Sequence, residues 1–304
     1  IRSATEVTAD VIQAASKLKV VGRAGIGIDN VDLAAASKRG VVVMNTPGGN
    51  TITTAEHTIS MMLALSRKIP QATTSLKGNK WEKKKFMGVE IYNKVLGIIG
   101  FGKIGQIVSS LARGLQMNVI VYDPFISKDA IQKTGVEVVD LDDLFKRADY
   151  ITLHVPSTEK TKNLICEETM KKMKPSVRIV NCARGGIINE ADLHKAIKEK
   201  KVAGAALDVF EKEPPGENPL LLLEEVICTP HLGASTDEAQ KNVAVAVAEQ
   251  IVDYLINGQI RNAINVPSVD AETLKKIKPY LYIGEKIGSL QAQLCKGRIQ
   301  QINI

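Results

Sequence analysis

The stretch "KVLGIIGFGKIGQIVSSLARGLQMNVIVYDP", residues 94–124, decides how the chain is read. Its first apolar run, 95–99, predicts a buried strand. Apolar positions at helical spacing follow, and a second β-branched run ends on Asp123. Between strand and helix, Gly100, Gly102 and Gly105 fall in the G-x-G-x-x-G pattern. The pattern alone is a weak signal. A strand before it, a helix after it and an acid ending the next strand supply the context a dinucleotide site requires. Gly100 permits the tight turn, Gly102 lets the backbone approach a pyrophosphate, and Gly105 lets helix and strand pack closely. The helix N-terminus then presents free N–H groups to the phosphates. Asp123 suits the ribose hydroxyls and repels a 2′-phosphate. Pro124 and Phe125 follow it rather than Arg, so the expected cofactor is NAD.

Outward from this stretch the alternation continues. Strands are expected at 150–156, 177–183, 202–209 and 226–230, with helical segments such as 190–200 between them. Strands alternating with helices predict an α/β fold, a Rossmann-type doubly wound parallel sheet. Upstream, 18–29 and 39–49 are β-branched runs that break on glycines, joined by a helix near Asp32. Residues 51–69 form a long helix rich in small and sulfur-containing side chains, a face suited to burial against another helix or another subunit. A second long helix is expected over 235–258, with Ser235 or Thr236 as N-cap and Gly258 as its stop.

The 304 residues, 44% of them hydrophobic, suffice for about two domains. No apolar run approaches the ~18 residues of a membrane span, and no secretory pattern is present. The chain opens on "IRSAT" rather than Met and reads as a piece lacking its native start. Cys166, Cys182, Cys228 and Cys295 form no CxxC pair and have no metal-ligand spacing, so free thiols in a reducing cytoplasm are expected and no metal. The net charge of +7 is spread thinly apart from "KWEKKKF" (80–86), and aromatics are only 4%. A small anionic substrate accounts for the basic balance at least as well as nucleic acid does.

Three successive strand ends each deliver a polar group to one edge of the sheet: Arg184 in "NCARGG", Asp208, Glu211 and Glu213 in "ALDVFEKEPP", and His231 in "CTPHLGAST". Ligands bind at that edge in doubly wound sheets. Beside a nicotinamide, Arg clamps a carboxylate, His takes the hydroxyl proton, and an acid orients the ring. No G-x-S-x-G elbow supports hydrolysis.

Over about residues 1–258 the chain resembles the D-2-hydroxyacid dehydrogenase family, on "VVGRAGIGIDNVDL", "VVVMNTPGGNTITTAEHTI", "KWEKKKFMG", "GFGKIG", "NCARGGIINE", "GAALDVFEKEPP" and "PHLGAST". "CARGG" and "KKKFMG" point to its phosphoglycerate branch. The resemblance implies NAD-dependent oxidation of D-3-phosphoglycerate to 3-phosphohydroxypyruvate, the first step toward serine. It implies Arg184, Glu213 and His231 as the catalytic set, with Glu213 preferred over Glu211 because it abuts Pro214. Implied cofactor contacts are Gly100, Gly102, Lys103, Ile104, Gly105, Asp123, Val155, Cys182, Ala183, Arg184, Asp208, His231, Leu232, Gly233 and Ala234. Asp208 would lie near the carboxamide. Implied substrate contacts are Arg23, Gly48, Gly49, Asn50, Arg184 and His231, with Arg2 and the 83–85 lysine run as further phosphate candidates, the lysines reaching across from a second subunit. Ile26 and Val155 depart from the family's polar choices, each removing one hydrogen bond of ~1 kcal/mol. His57, His154 and His194 read as structural, His194 as exposed.

The implied organisation is part of a flavodoxin-like substrate domain at 1–46, the NAD domain at 47–233, a returning helix at 234–260 and the start of a further module at 261–304. The implied assembly is a homodimer or homotetramer, with no nucleic-acid or membrane partner. Two other functions remain open: a dehydrogenase or reductase for another 2-hydroxy or 2-keto acid, such as glyoxylate, and an NAD-sensing binding protein like the co-repressors that share the fold.

Overall fold

The computed structural model describes residues 1–2, 4–266 and 271–294. Cys295 and the rest of 295–304 lie outside the described residues, as do 267–270 of the expected C-terminal module. The chain divides into two compact units, Ile1–Pro47 with Val243–Ile304, and Gly48–Asn242.

The first stretch builds α1 (Ala9–Ala14), β1 (Val20–Gly22), α2 (Leu33–Lys38) and β2 (Val42–Met44). Asp32 caps α2 by accepting the Ala35 N–H at 2.8 Å. The two strands pair in parallel, Val20 opposite Val42, over a core of Val7, Ile12, Val21, Val31, Ala36, Val41 and Val43.

The second unit runs through α3 (Thr51–Arg67), α4 (Ile69–Lys77), β3 (Val95–Ile99), α5 (Lys103–Gly114), β4 (Asn118–Tyr122), α6 (Lys128–Gln132), β5 (Glu137–Val138), α7 (Leu141–Arg147), β6 (Tyr150–Leu153), α8 (Glu167–Met170), β7 (Arg178–Asn181), α9 (Glu190–Lys198), β8 (Gly204–Leu207) and β9 (Val226–Cys228). Its seven strands pair in parallel in the order β5-β4-β3-β6-β7-β8-β9. The chain winds outward from β3 in one direction and from β6 in the other. The crevice at their C-terminal ends is therefore the switch point at which such sheets bind ligands.

The strands are apolar on both faces, as a sheet covered twice must be. Ile99, Ile151, Leu153, Ile179 and Leu207 face one core with Leu144, Phe145, Leu193 and Ile197. Leu96, Ile98, Val121, Val180 and Ala206 face the other with Ala55, Ile59, Met62, Val108 and Ala112. The apolar face of α3 is thus consumed by the unit's own sheet and by α5. Of the two partners expected for this face, another helix is the one seen, α5 of the same unit.

Thr236 caps α10 (Asp237–Asn257) by accepting the Ala239 N–H at 3.2 Å. Gly258, at φ 68°, ends it. Beyond Asn242 this helix belongs to the first unit, where Val243 and Val247 pack on Ala24. A Cβ on Gly22 would lie 2.5 Å from Val247 Cγ2, so only glycine lets β1 come this close to α10. A final helix, α11, spans Ala271–Leu294.

Candidate active site

The glycine loop follows β3 as its spacing demands. Gly100 has φ +94°, and a Cβ on it would come within 2.5 Å of the His154 carbonyl oxygen at the end of β6. A Cβ on Gly105 would come within 2.2 Å of the Gly100 oxygen. Over Gly102 the opposite holds: a Cβ there meets nothing within 4 Å. Gly102 is also the N-cap of α5 and provides no side-chain cap. The Lys103 and Ile104 amides of the first turn therefore border open space at a helix N-terminus, which fits a pyrophosphate.

Asp123 follows β4. Its Oδ2 accepts the Phe101 N–H at 2.7 Å, and its Oδ1 accepts those of Phe125 and Ile126 at 2.8 and 3.0 Å. It ties the glycine loop to the neighbouring strand before any ribose is considered. Val155 follows β6 half-buried. Beside it, burial pulls the His154 imidazole down to about 4.

Arg184 leaves β7 through a turn built by Asn181. That buried amide accepts the Ala183 N–H at 3.0 Å and donates to the Arg184 carbonyl at 2.9 Å. A Cβ on Gly185 would lie 1.7 Å from the Phe210 oxygen, so glycine here presses the arginine loop against the loop after β8. That loop carries both candidate acids. Glu211 is tied to the start of α9, where Glu190 Oε1 accepts its N–H at 2.6 Å. Glu213 instead accepts the Phe210 N–H through Oε1 and places Oε2 2.6 Å from His231 Nδ1. With Nδ1 donating to a carboxylate, Nε2 of His231 is left for an external group.

His231 has φ 55°, a strained value for a residue other than glycine. Its N–H donates to the Asp208 carbonyl at 2.9 Å. The Asp208 carboxylate, fully buried, organises the rest of the turn. Oδ1 accepts the Thr229 hydroxyl at 2.5 Å and the Leu232 N–H at 2.7 Å, and Oδ2 accepts the Gly233 N–H at 2.8 Å. Burial pushes this carboxyl up. The hydrogen bonds from His57, Thr229 and Leu232 outweigh it and hold Asp208 below the usual carboxylate range. Cys182 lies close by, its thiol pushed up to about 12 by burial and by the Asp208 charge. Of the implied cofactor contacts, Ala183 and Ala234 are half-buried, Leu232 exposed and Gly233 buried.

His57, structural in the sequence reading, places its Nε2 3.2 Å from Asp208 Oδ1 and 3.1 Å from Thr229 Oγ1. Asn181 and Thr229 are polar groups of this region that the sequence reading does not single out. For His57 the available signal was spacing: Thr53 and Thr54 stand four and three residues before His57, which puts the three on one side of a helix. His194 is half-buried rather than exposed.

On the substrate side, Gly48 has φ +152° and Gly49 follows it, while Asn50 is buried with Oδ1 lacking a hydrogen-bond partner. Arg23 and Arg2 belong to the other unit, both half-buried. The lysine run does not join the site within this unit. Lys85 lies 3.4 Å from Glu224, just before β9, and lines a cavity of about 220 Å³ with Arg178, the first residue of β7. That is the N-terminal edge of the sheet, opposite Arg184 and His231.

Residues 59–233 match the family described as "D-isomer specific 2-hydroxyacid dehydrogenase, NAD binding domain". The chain is 52% identical over its whole length to a D-3-phosphoglycerate dehydrogenase of Synechocystis, covering 55% of that protein. It is 51% identical to one of Archaeoglobus fulgidus, covering 58%. The chain thus spans about half the length of these curated relatives. Among solved structures, a glyoxylate reductase from Paecilomyes thermophila superposes with a TM-score of 0.79 at 31% identity, over 85% of this chain and 79% of that one.

Proposed function

Since the chain belongs to the D-isomer specific 2-hydroxyacid dehydrogenase family, we propose that it serves the NAD-dependent oxidation of D-3-phosphoglycerate to 3-phosphohydroxypyruvate. The observation that carries the chemistry is the 2.6 Å pair between His231 and Glu213, on loops after adjacent strands, with Arg184 on the next loop. NAD⁺, when bound, supplies the acceptor for the hydride leaving C2. Gly102 and the Lys103 and Ile104 amides hold its pyrophosphate, with Asp123 toward the ribose. Arg184 binds the substrate carboxylate by its two-pronged guanidinium. His231 Nε2 takes the C2 hydroxyl proton, and Glu213 stabilises the imidazolium that results. Asp208 holds the turn that carries His231. Arg23, Gly48, Gly49 and Asn50 are assigned to the substrate.

In this reading Gly48–Asn242 is the cofactor domain and Ile1–Pro47 belongs to the substrate domain. The working protein is a homo-oligomer. Its support is the segment after α3: α4 buries none of its residues, and Ile69, Leu76, Trp81, Met87 and Tyr92 are exposed. A second copy covers this face. The free Cys166, Cys182 and Cys228 suit a reducing cytoplasm.

The test is NADH formation from D-3-phosphoglycerate and NAD⁺ by the full-length protein, beside His231→Ala, with NAD binding measured on both. Turnover by the wild type and none by a variant that still binds NAD is the expected result. Reduction of glyoxylate without turnover of the phosphorylated acid moves the assignment to the substrate of the related reductase. NAD binding with no turnover of any hydroxy acid moves it to an NAD-sensing binding protein.

A further inference from the structure

The N-terminal turns of α3 touch the His231 turn at three points. Thr53 Oγ1 lies 3.5 Å from Thr236 Oγ1, and Thr54 Oγ1 donates to the Gly233 carbonyl at 2.9 Å. The third point is His57, whose Nε2 lies 3.2 Å from Asp208 Oδ1 and 3.1 Å from Thr229 Oγ1. The Thr229 hydroxyl already spends its proton on Asp208 Oδ1. His57 Nε2 therefore faces two acceptors and carries a proton, which it shares between them.

His57, Cys182 and Asp208 bring their potential ligand atoms within 4.8 Å of one another, a spacing that would also suit a metal ion. The chemistry argues against that use. Four donors already occupy the Asp208 oxygens, and a thiol pushed up to about 12 stays protonated at neutral pH. The cluster is a hydrogen-bonded hub around one buried carboxylate.

What the hub holds is the catalytic turn. Asp208 accepts the Leu232 and Gly233 amides through its carboxylate and the His231 amide through its carbonyl. Of the two side-chain donors to the carboxylate, Thr229 lies within the turn, so its bond closes a local loop. His57 lies on a long helix packed in the core, and among the described residues it is the donor that reaches the carboxylate from outside the turn. We propose that His57 is a positioning residue: through Asp208 it sets where His231 stands. This rests on the dehydrogenase reading for its catalytic consequence, but not for its structural one.

The test uses the full chain with His57→Leu, which removes the donor, and His57→Gln, whose Nε2 lies the same number of bonds from the backbone. Turnover, KM for the acid, thermal unfolding and amide exchange at Leu232 and Gly233 are measured on each. His57→Leu is expected to lower kcat about 10- to 100-fold, the worth of one hydrogen bond to a charge, with KM within about twofold. Exchange at the two amides should speed up by a similar factor, and His57→Gln should restore both. Should His57→Leu fail to fold, His57→Asn takes its place, its amide one bond closer to the backbone and so short of Asp208, with the same expected losses. Unchanged kcat and exchange in the leucine variant, or a glutamine variant no better at equal thermal stability, overturns the proposal. A wild type that turns over no hydroxy acid while amide exchange responds as expected sinks the function and leaves the positioning role standing.

Discussion

Replacing Gly100 and Gly102 separately by alanine should separate the two tasks of the glycine loop. At Gly100 the new Cβ would stand 2.5 Å from a backbone oxygen and sit at φ +94°. Ordinary contact begins at 3.4 Å, so His154 or the loop must move by nearly 1 Å. Overpacking of this kind costs about 1–3 kcal/mol, and the backbone strain adds about 1–3 kcal/mol. For a unit of this size each 1 kcal/mol lowers Tm by about 2–4 °C, so Gly100→Ala should melt at least about 4 °C lower without cofactor. At Gly102 the Cβ meets nothing within 4 Å and φ is −67°, so the apo protein should keep its Tm within about 1 °C. Its methyl group would occupy the space proposed for the pyrophosphate. Losing one hydrogen bond to a charged phosphate should weaken NAD at least tenfold. The assay is thermal unfolding without ligand beside calorimetric titration with NAD⁺. A Gly102→Ala protein that binds NAD like the wild type, or melts as early as Gly100→Ala, would refute the assignment of that space.

Glu213→Gln keeps the shape but loses the charge facing His231, and should lower kcat about 10²-fold or more with NAD affinity unchanged in a titration. Arg184→Lys keeps a charge but loses the two-pronged geometry, and should raise KM for the hydroxy acid about tenfold in steady-state kinetics. His154 is held down to about 4, whereas the unfolded chain protonates it near 6.5. Its neutral form is therefore no burden above pH ~6.5, and stability drains away as pH falls from there toward 4, by up to about 3 kcal/mol. His154→Gln should flatten that slope in urea unfolding between those pH values. Cys182, with its thiol near 12, should resist iodoacetamide at pH 8 until the protein unfolds, as peptide mass mapping will show.

The cofactor loop was legible because its demands are steric and local. Gly100 and Gly105 answer to backbone oxygens close in sequence or on the adjacent strand, and glycine alone satisfies them. The sheet edge bearing Arg184, Glu213 and His231 was legible because strand ends in a doubly wound sheet share a side. Choosing Glu213 over Glu211 needed the family resemblance, since both acids follow β8. What tells them apart is the Glu190 N–H, which donates to Glu211 Oε1 at 3.3 Å and draws that acid toward α9. The role of α3 was hidden for another reason. Small and polar residues along a helix say that something packs closely, not whether it is another chain or a loop some 170 residues on. The place of the lysine run was hidden because a block of charge carries no information about which edge of its own sheet it meets; the Glu224 contact decides that.

The close approach of Gly22 to Val247 and Ile251 bears on how the molecule is made. The Ile1–Pro47 stretch has a core of its own, but its Ala24 and Gly22 are covered by residues from Val243 onward, and the whole of Gly48–Asn242 intervenes. At about 5–20 residues per second on the ribosome, roughly 195 residues take on the order of 10–40 s. For that interval β1 and β2 have emerged while the helix that covers them has not. The nascent chain thus shows the Gly22 and Ala24 side of this small sheet uncovered throughout the synthesis of the other unit, a side on which a chaperone could rest.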